Sequence, residues 1–200
     1  PSFTPDVAGT YVVTLTVNDG SSTDSDSVSI NVDSDGAVLL LHLDETSGST
    51  TTDASPSALD GTVTGGTWSG GRFFGALGFD GSSWVSVPDD DALDISDDLT
   101  IDFWMRTDDV DTTWQAVLTK GTSYNYSVWT YQDELYFYGV TTSFGYVNAG
   151  GAAAIGDGAW HHYAITVSGG TITVYEDGAV IGTTDYSGTL RTTSAQLHLG

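Results

Sequence analysis

Apolar and polar residues alternate with a period of two along much of the 200-residue chain. In the stretch GTYVVTLTVNDGSSTDSDSVSINV (9–32), two alternating runs flank an Asn-Asp-Gly sequence at 18–20. These three residue types tolerate the positive φ of a tight turn. Because side chains on a strand point alternately to its two faces, the pattern predicts strands at 10–17 and 25–32. A ribbon of two strands is only marginally stable in water, so we expect it to pack against a further partner.

Continuous apolar runs and turn sequences predict the elements that follow. The run AVLLLHL (37–43) predicts a strand buried on both faces. Asp-Gly pairs in FDGSS (79–83) and YEDGAV (175–180) predict hairpin turns. Further strands are predicted near 61–63 and at 76–80, 83–87, 99–107, 115–119, 124–131, 134–140, 160–167, 171–175, 179–184 and 195–199.

The remaining segments are rich in small and polar residues and are predicted to be loops. The predicted loops are 44–71, apart from the short strand near 61–63, together with 89–98 and 147–158. No segment carries a sustained 3.6-residue apolar repeat, and no tandem repeat is visible. Many short strands of unequal length favour an all-β sandwich of two antiparallel sheets, or jelly roll, over a propeller.

The charge balance narrows the range of partners. The chain has 27 acidic residues against four lysines and arginines, and its formal net charge is −23. Such a surface repels phosphate groups, which argues against nucleic acid and anionic membranes as partners. It attracts cations, and calcium in particular binds hard oxygen ligands. A saline habitat is the alternative explanation of the acidity.

Composition also excludes several structural classes. Cysteine is absent, so disulfides and Cys-ligated metal sites are excluded. No apolar run approaches the roughly 18 residues of a spanning helix, and we expect no membrane insertion. No signal peptide is visible, and a chain that starts at Pro1 is expected to be a mature or partial product.

Five segments, taken in order, resemble the laminin-G-like, concanavalin A-like family over roughly residues 37–200. The resemblance implies a jelly roll of two curved antiparallel sheets in a secreted or surface protein. It further implies a calcium site near loop carboxylates and binding of glycans or proteins. Family members usually continue with one more strand beyond the equivalent of Gly200. The five segments are LHLDETSG (41–48), GALGFDGSSWVSVP (75–88), LTIDFWMRT (99–107), GAWHHYAITV (158–167) and ITVYEDGAVIGT (172–183).

The first segment is similar to a different family. Residues 2–32 resemble the closing strands of a PKD domain, an immunoglobulin-like sandwich of prokaryotic surface proteins, without its early strands. The predicted organisation is therefore a partial PKD-like segment (1–33), a hinge (34–36) and a laminin-G-like jelly roll (37–200). Either the chain is a fragment of a longer polypeptide, or neighbouring protomers complete both sandwiches by strand addition.

Laminarinase-type glycoside hydrolases share the fold that the resemblance implies, so a catalytic role is the alternative to consider. Their retaining mechanism requires two carboxylic acids about 5.5 Å apart. The best-placed strand, 99–107, offers only Asp102, while Glu45, Glu134 and Glu176 lie on separate segments. We therefore predict that the chain is not an enzyme.

Loop carboxylates form the predicted calcium site. By resemblance, Asp44, Asp53 and Asp80 are favoured as ligands, together with Asp60. The alternative is that these acids cap turns and hydrate the surface. The run of three acids at 89–91 is predicted to be solvated.

The histidines are predicted to be structural. His161 and His162 are adjacent on a strand and point to opposite faces, so they cannot chelate one ion together. In the family this strand is structural, with packed and hydrogen-bonded rings. His42 lies in the apolar run and is predicted to be a satisfied core residue.

Aromatic residues near polar ones form a predicted glycan-binding surface. Aromatic rings stack on the C–H faces of sugars, while hydroxyls need paired donors and acceptors. The alternative is that the rings fill the two inner layers of the sandwich. The residues assigned to glycan binding are Asp102, Trp104, Arg106, Trp129, Tyr136 and Tyr138. Asn125 begins an N-glycosylation sequon, Asn-Tyr-Ser.

Together these observations predict a non-catalytic, extracellular or cell-surface protein of a prokaryote. The favoured role is structural and adhesive: copies of the chain assemble head to tail into a fibre by strand complementation, stiffened by structural calcium. The alternative is a calcium-dependent carbohydrate-binding module of a longer adhesin or secreted enzyme, with a polysaccharide as its partner.

Overall fold

The computed structural model describes residues 9–18, 23–32, 36–108, 113–121, 125–143, 145–152 and 155–200. Across these ranges the chain is all-β, with sixteen strands and one short 3-10 helix at Asp91–Leu93. None of the described helical segments has the length and apolarity needed to cross a membrane. The predicted turn at 18–20 and hinge at 34–36 lie largely outside the described residues.

Two large antiparallel sheets form the body of the protein. The eight-stranded sheet, here called sheet I, has the order β12-β11-β10-β9-β16-β7-β4-β3, and the four-stranded sheet II has the order β15-β14-β13-β8. The strands of sheet I are β3 (Thr50–Thr51), β4 (Gly61–Thr64), β7 (Trp84–Val87), β9 (Gln115–Lys120), β10 (Tyr126–Tyr131), β11 (Glu134–Thr141), β12 (Gly145–Ala152) and β16 (Leu197–Leu199). The strands of sheet II are β8 (Leu99–Met105), β13 (His161–Ser168), β14 (Thr171–Glu176) and β15 (Ala179–Asp185).

Two further ribbons complete the described structure. Strands β1 (Gly9–Asn18) and β2 (Thr23–Val32) pair with each other, as the alternation at 10–17 and 25–32 predicts. Strands β5 (Thr67–Gly70) and β6 (Gly75–Gly78) form a second hairpin.

The larger of two hydrophobic clusters lies between sheets I and II and confirms the sandwich. Val128 and Phe137 from sheet I and Ile165 and Val174 from sheet II are all fully buried in one cluster. On β8 the burial alternates as predicted, with Leu99 buried and the intervening residues facing solvent. Period-two alternation therefore decides which face of each sheet becomes the outer surface.

The predicted hairpin at 175–180 is confirmed. Glu176 pairs with Ala179, and the two turn residues Asp177 and Gly178 have φ values of 47° and 80°. These values match the positive φ that a two-residue hairpin turn requires.

The prediction of a buried strand at 37–43 is wrong. The segment makes only an isolated bridge, Leu41 to Asp53, and its apolar side chains are half-buried against the core. Its backbone is instead held by a side chain, because the Asp53 carboxylate accepts a hydrogen bond from the Leu40 amide at 2.8 Å. His42 is exposed, so its prediction as a core histidine is wrong as well.

The loop predicted at 147–158 is partly a strand, β12. Its glycines and alanines have low strand propensity, which is why the sequence predicted a loop. The strand packs so closely against β15 that larger side chains would not fit. A Cβ on Gly151 would lie 2.3 Å from the Ile181 carbonyl oxygen, and one on Gly182 would lie 2.2 Å from the Gly150 carbonyl oxygen. The small residues therefore permit close approach at the edge where the two sheets meet.

The hairpin predicted at 79–83 is also wrong. β6 pairs with β5, whereas β7 pairs with β4 and β16, so residues 79–83 connect two different sheets. Asp80 accepts hydrogen bonds from the Ser82 amide and hydroxyl within this connection. The Asp-Gly pair marks a turn here, but the strands on either side of it do not pair.

Candidate functional site

Four aromatic rings meet on the outer face of sheet I. On β10 and β11, buried residues such as Val128 and Phe137 alternate with outward-facing rings. Tyr136 lies opposite Trp129 on the neighbouring strand. We use the name aromatic platform for Trp114 and the three tyrosine rings that contact it, Tyr131, Tyr136 and Tyr138.

Trp114 is the central ring of the platform. It stacks on Tyr131 with ring centroids 4.5 Å apart and planes 18° apart. Tyr136 and Tyr138 meet it edge to face at 5.1 Å and 5.5 Å. Trp114 nevertheless remains 45% exposed, so a large part of its surface is available for a ligand.

Neighbouring groups fix the tyrosines in place. A Cβ on Gly150 would lie 2.3 Å from Cδ1 of Tyr136, so glycine at this position leaves the space that the ring occupies. The Tyr136 hydroxyl donates to the Glu134 carboxylate, and this hydrogen bond, with burial and the carboxylate charge, raises the pKa of Tyr136 to about 12. Burial raises the pKa of Tyr138, partly offset by a hydrogen bond with the Asn148 side chain.

Two shallow depressions extend the outer face of sheet I beyond the platform. The first includes Ala116 and Trp129, and the second includes Trp84 and Ser82. Thr119 and His198 line both, so the depressions adjoin. The outer face therefore offers polar and aromatic groups over several strands.

The predicted glycan-binding residues lie on two opposite faces. Trp129, Tyr136 and Tyr138 lie on sheet I, whereas Asp102 and Trp104 lie on the outer face of sheet II. Arg106 follows β8 and its guanidinium carbon lies 5.3 Å from the ring centroid of Trp160. The sequence prediction grouped the six residues on one surface, because alternation along a strand does not reveal which sheet that strand joins.

The Trp104 ring already has several contacts. The Arg72 guanidinium carbon lies 5.1 Å from its centroid, and Phe73 and His162 approach at 5.5 Å each. Asp102 in turn lies 3.4 Å from Nε2 of His162. Trp104 is 37% exposed, but its neighbours occupy much of the ring that a sugar would stack on.

Sequence reasoning missed Trp114 and did not include Tyr131 in the site. Trp114 precedes β9 in a segment without strong alternation, and its place opposite Tyr131 follows from the pairing of β9 with β10. The alternation of Tyr131 with buried Tyr126 and Val128 was the available signal.

The predicted calcium ligands have other partners. Asp53 is 5% exposed, and its two carboxylate oxygens accept hydrogen bonds from the backbone of Leu40, Ser55 and Leu59 and from the Ser55 hydroxyl. Burial by itself would raise the pKa of Asp53, but these hydrogen bonds outweigh it and lower the pKa. Asp60 accepts a hydrogen bond from the Asp53 amide.

Three of the four carboxylates predicted to bind calcium, those of Asp53, Asp60 and Asp80, are hydrogen-bonded within the chain itself. Within the described ranges, no three His, Asp or Glu side chains are grouped so that they could hold a metal ion. Glu45 Oε2 and Thr51 Oγ1 are buried atoms without a hydrogen-bond partner, but Asp53 has no acceptor position left to join them. Calcium binding stays a prediction.

The two adjacent histidines point to opposite faces, as predicted. His161 Nδ1 lies 2.8 Å from the Asp177 carboxylate, and His162 lies beside Trp104 on the outer face. The hydrogen bond with Asp177, reinforced by Asp157 and opposed by burial, raises the pKa of His161. The two histidines therefore connect the start of strand β13 to the carboxylates of Asp177 and Asp102.

Two other predicted features have different surroundings. Residues 89–91 are exposed, as predicted, and Asp89 also forms an ion pair with Lys120, a lysine whose side chain is only 1% exposed. Asn125 is 6% exposed and its Nδ2 donates to the Arg191 carbonyl at 2.7 Å. Glycosylation at Asn125 stays a prediction, and it would require this buried amide to be released.

The three glutamates are held on separate elements. Glu45 accepts from the Thr52 amide at 2.8 Å, Glu134 accepts from Tyr136, and Glu176 accepts from the Tyr163 hydroxyl at 3.1 Å. The structure therefore does not assemble them as a catalytic pair.

Solved structures with the same fold come from bacterial toxins and an extracellular enzyme. The binding domain of Paraclostridial Mosquitocidal Protein 1 matches with a TM-score of 0.70 and 16% identity, over 83% of this chain and 44% of that chain. A structure of botulinum neurotoxin type C, whose cell entry depends on interaction with two ganglioside molecules, matches with a TM-score of 0.61 and 18% identity, over 81% and 42%. Domain 4 of AbnA, a GH43 extracellular arabinanase from Geobacillus stearothermophilus, in complex with arabinotriose, matches with a TM-score of 0.58 and 19% identity, over 74% and 77%.

At these identities the likeness concerns the fold alone, and the chain spans less than half of the two toxin structures. No curated protein matches the chain. A family model described as concanavalin A-like lectin/glucanases superfamily matches residues 79–200. That match does not reach residues 2–32, whose resemblance to PKD domains stays a prediction. Since the match covers more than half of the chain, this protein belongs to the concanavalin A-like lectin/glucanases superfamily.

Proposed function

We propose that the chain is a non-catalytic carbohydrate-binding domain of a secreted or cell-surface protein, and that the sugar binds on the aromatic platform. The observation that carries the proposal is the cluster of four rings on the outer face of sheet I, with Trp114 45% exposed at its centre. Exposed aromatic clusters rimmed by polar groups are typical of ligand-binding surfaces.

The platform rings are not needed to fill the core. The inner layers contain other aromatic residues, including Tyr126, Phe137 and Tyr163, which are 3% exposed or less. The alternative that aromatic residues serve only the core therefore does not account for Trp114 and its neighbours. Rings on the outer face stabilise the fold through contacts with each other. The 45% of the Trp114 surface that stays exposed is not buried by folding and adds nothing to stability.

The chemistry of the platform suits a sugar. Flat rings accept the C–H faces of a pyranose or furanose, while the carboxylate of Glu134 and the amide of Asn148 can pair with hydroxyl groups at the edge. Glu134 and Asn148 already contact platform tyrosines, so the polar groups lie next to the rings.

The structural neighbours support a binding role. AbnA domain 4 was solved with arabinotriose, and neurotoxin type C interacts with gangliosides, which are properties of those proteins. The same fold can thus present surfaces that bind sugars. The separate positions of Glu45, Glu134 and Glu176 support a non-catalytic role for this chain.

Affinity electrophoresis tests the proposal. The chain is run through gels containing arabinan, xylan, mannan or a β-glucan, and the retardation is compared with that of Trp114→Ala, Tyr136→Ala and Trp104→Ala. We expect one polysaccharide to retard the wild type, the two platform variants to lose at least tenfold in affinity, and Trp104→Ala to remain retarded. Loss with Trp104→Ala alone would assign binding to the outer face of sheet II and contradict the platform. No retardation by any polysaccharide would contradict carbohydrate binding.

A second candidate function is assembly through strand pairing. β1 and β2 form a sheet of only two strands, and such a ribbon gains stability by pairing with further strands. We propose that another copy of the chain supplies them, which gives a head-to-tail fibre. Light scattering and electron microscopy of the native protein test this: long regular particles are expected, and a clean monomer would contradict it.

A further inference from the structure

A row of residues crosses sheet I from the platform to its far side. The register places Tyr136 beside Trp129, and Trp129 beside Ala116. The register shifts at Ala116 and Val117 on β9, and the Gly200 amide donates to the Val117 carbonyl, so Gly200 lies on the other side of this pair of residues in the row. Since Leu199 pairs with Val85, the next outward residue after Gly200 is Trp84.

The row has large rings at its ends and small residues between them. Trp84 is 41% exposed and Trp129 is half-buried. In the row between these two rings, Ala116 carries only a methyl group and Gly200 has no side chain. The two depressions on this face correspond to that low floor, one beside Trp129 and the other beside Trp84.

A second row runs parallel to the first and is polar. Thr119 pairs with Ser127 on one side and with His198 on the other, and His198 pairs with Ser86. Thr119 and His198 also line both depressions. Ser127 is fully buried and accepts a hydrogen bond from Trp129 Nε1. The Thr119 hydroxyl and the His198 imidazole, in contrast, lie on the floor, where they can serve the hydroxyls of a bound chain.

The length of the floor follows from the strand order. Trp129 on β10 and Trp84 on β7 are separated by three strand spacings, through β9 and β16. Adjacent strands lie about 4.8 Å apart, so the two indoles are about 14 Å apart across the sheet. That separation exceeds a single sugar ring and suits several rings in a line.

Charge restricts the kind of chain that fits. Neither depression is lined by a lysine or arginine, and the protein has a net charge of −23. Carboxylated or sulfated glycans would be repelled without a compensating cation.

We propose that the ligand is a neutral, linear oligosaccharide that lies across the strands of sheet I, from the aromatic platform past Trp129 to a distal stacking residue, Trp84. This inference rests on the proposed function and adds the direction, length and charge class of the ligand. Trp84 contributes only when the chain is long enough to reach it. Short oligosaccharides bind at the platform alone.

Calorimetric titration with oligosaccharides of two to six units tests the inference, using units cut from the neutral polysaccharide that retards the wild type. We expect wild-type affinity to rise with length and to level off once the chain spans the floor. Trp84→Ala should bind the dimer within twofold of the wild type and the hexamer at least tenfold more weakly. Ala116→Tyr, which raises the floor and removes no ring, should give the same loss for the hexamer.

The outcomes separate the two proposals. If Trp84→Ala and Ala116→Tyr bind the hexamer as tightly as the wild type, the path across the strands is wrong, while loss of dimer binding in Trp114→Ala still supports the platform. If Trp114→Ala binds the dimer as well as the wild type, the proposed function itself is wrong. Stronger retardation by polygalacturonate or heparin than by every neutral polysaccharide would overturn the charge class.

Discussion

The rings of Trp114 and Tyr131 stack face to face, with centroids 4.5 Å apart, although Trp114 lies just before β9 and Tyr131 at the end of β10. The stack leaves Trp114 45% exposed. An aromatic pair of this kind contributes about 0.5–1.5 kcal/mol beyond the area that it buries. The contact therefore holds the Trp114 ring in place, and its loss would lower the stability of the fold only moderately.

Trp114→Ala is expected to separate binding from folding. The free energy of unfolding should fall by about 2–4 kcal/mol, because the ring contacts and the buried half of the indole surface are lost. Urea denaturation followed by circular dichroism measures this change. Affinity for the retained polysaccharide should fall at least tenfold. A loss of stability several times larger would show that Trp114 is a folding residue and would contradict its role as a ligand platform.

Asp53→Asn is expected to destabilise the chain by about 1–3 kcal/mol. The carboxylate accepts four hydrogen bonds from the surrounding loop, and an amide would direct N–H groups toward N–H or O–H donors. Asp80→Asn is the matched control, because Asp80 is exposed and bonds only within its own turn. It should change stability by no more than about 0.5 kcal/mol.

Asp53 should also account for part of the loss of folding stability at acidic pH. The folded pKa of Asp53 is lowered, so its contribution is fully present above the unfolded pKa and is lost as pH falls through the folded pKa. Wild-type stability should therefore drop on acidification below the usual pKa of an aspartate, and Asp53→Asn should show a smaller drop. Equal drops in the two proteins would contradict this account.

His161 should make stability fall as the pH rises above neutrality. The pKa of His161 is raised, mainly by its hydrogen bond with Asp177. The stabilising contribution is complete below the unfolded pKa and disappears as pH rises through the folded pKa. His161→Gln and Asp177→Asn should each reduce the pH dependence of the melting temperature between pH 5 and 8, which are about the limits of histidine titration. An unchanged profile in both variants would refute the assignment.

Gly151→Ala should disturb the edge where the two sheets meet. The added Cβ would lie 2.3 Å from the backbone carbonyl of Ile181, which cannot rotate away like a side chain. We expect a loss of about 1–3 kcal/mol, as for overpacked sites. Gly70→Ala is the control, since nothing lies within 4 Å of its added Cβ. Equal stability of the two variants would mean that β12 and β15 tolerate more separation than the structure indicates.

Sequence predictions that depend on neighbouring residues were more often correct than those that depend on contacts between distant segments. Alternation along β8 correctly predicted which side chains face the core, because the period of a strand is a local property. On β10 the apolar Tyr126 and Val128 are buried, but so is Ser127 on the opposite face. Asp177-Gly178 correctly predicted a hairpin for the same reason. Asp80-Gly81 did not, because the strands that flank it join different sheets.

The amino-acid sequence by itself determined the all-β class, the family and the residues that face outward on each strand, since all three follow from local pattern and motif order. Only the tertiary structure decided that Trp104 and Trp129 lie on opposite faces, that Trp114 completes the platform, and that Asp53 binds its own loop. These facts depend on strand order and on contacts between residues distant in sequence. Periodicity carries no information about which strands become neighbours, and the candidate site is made by those neighbours.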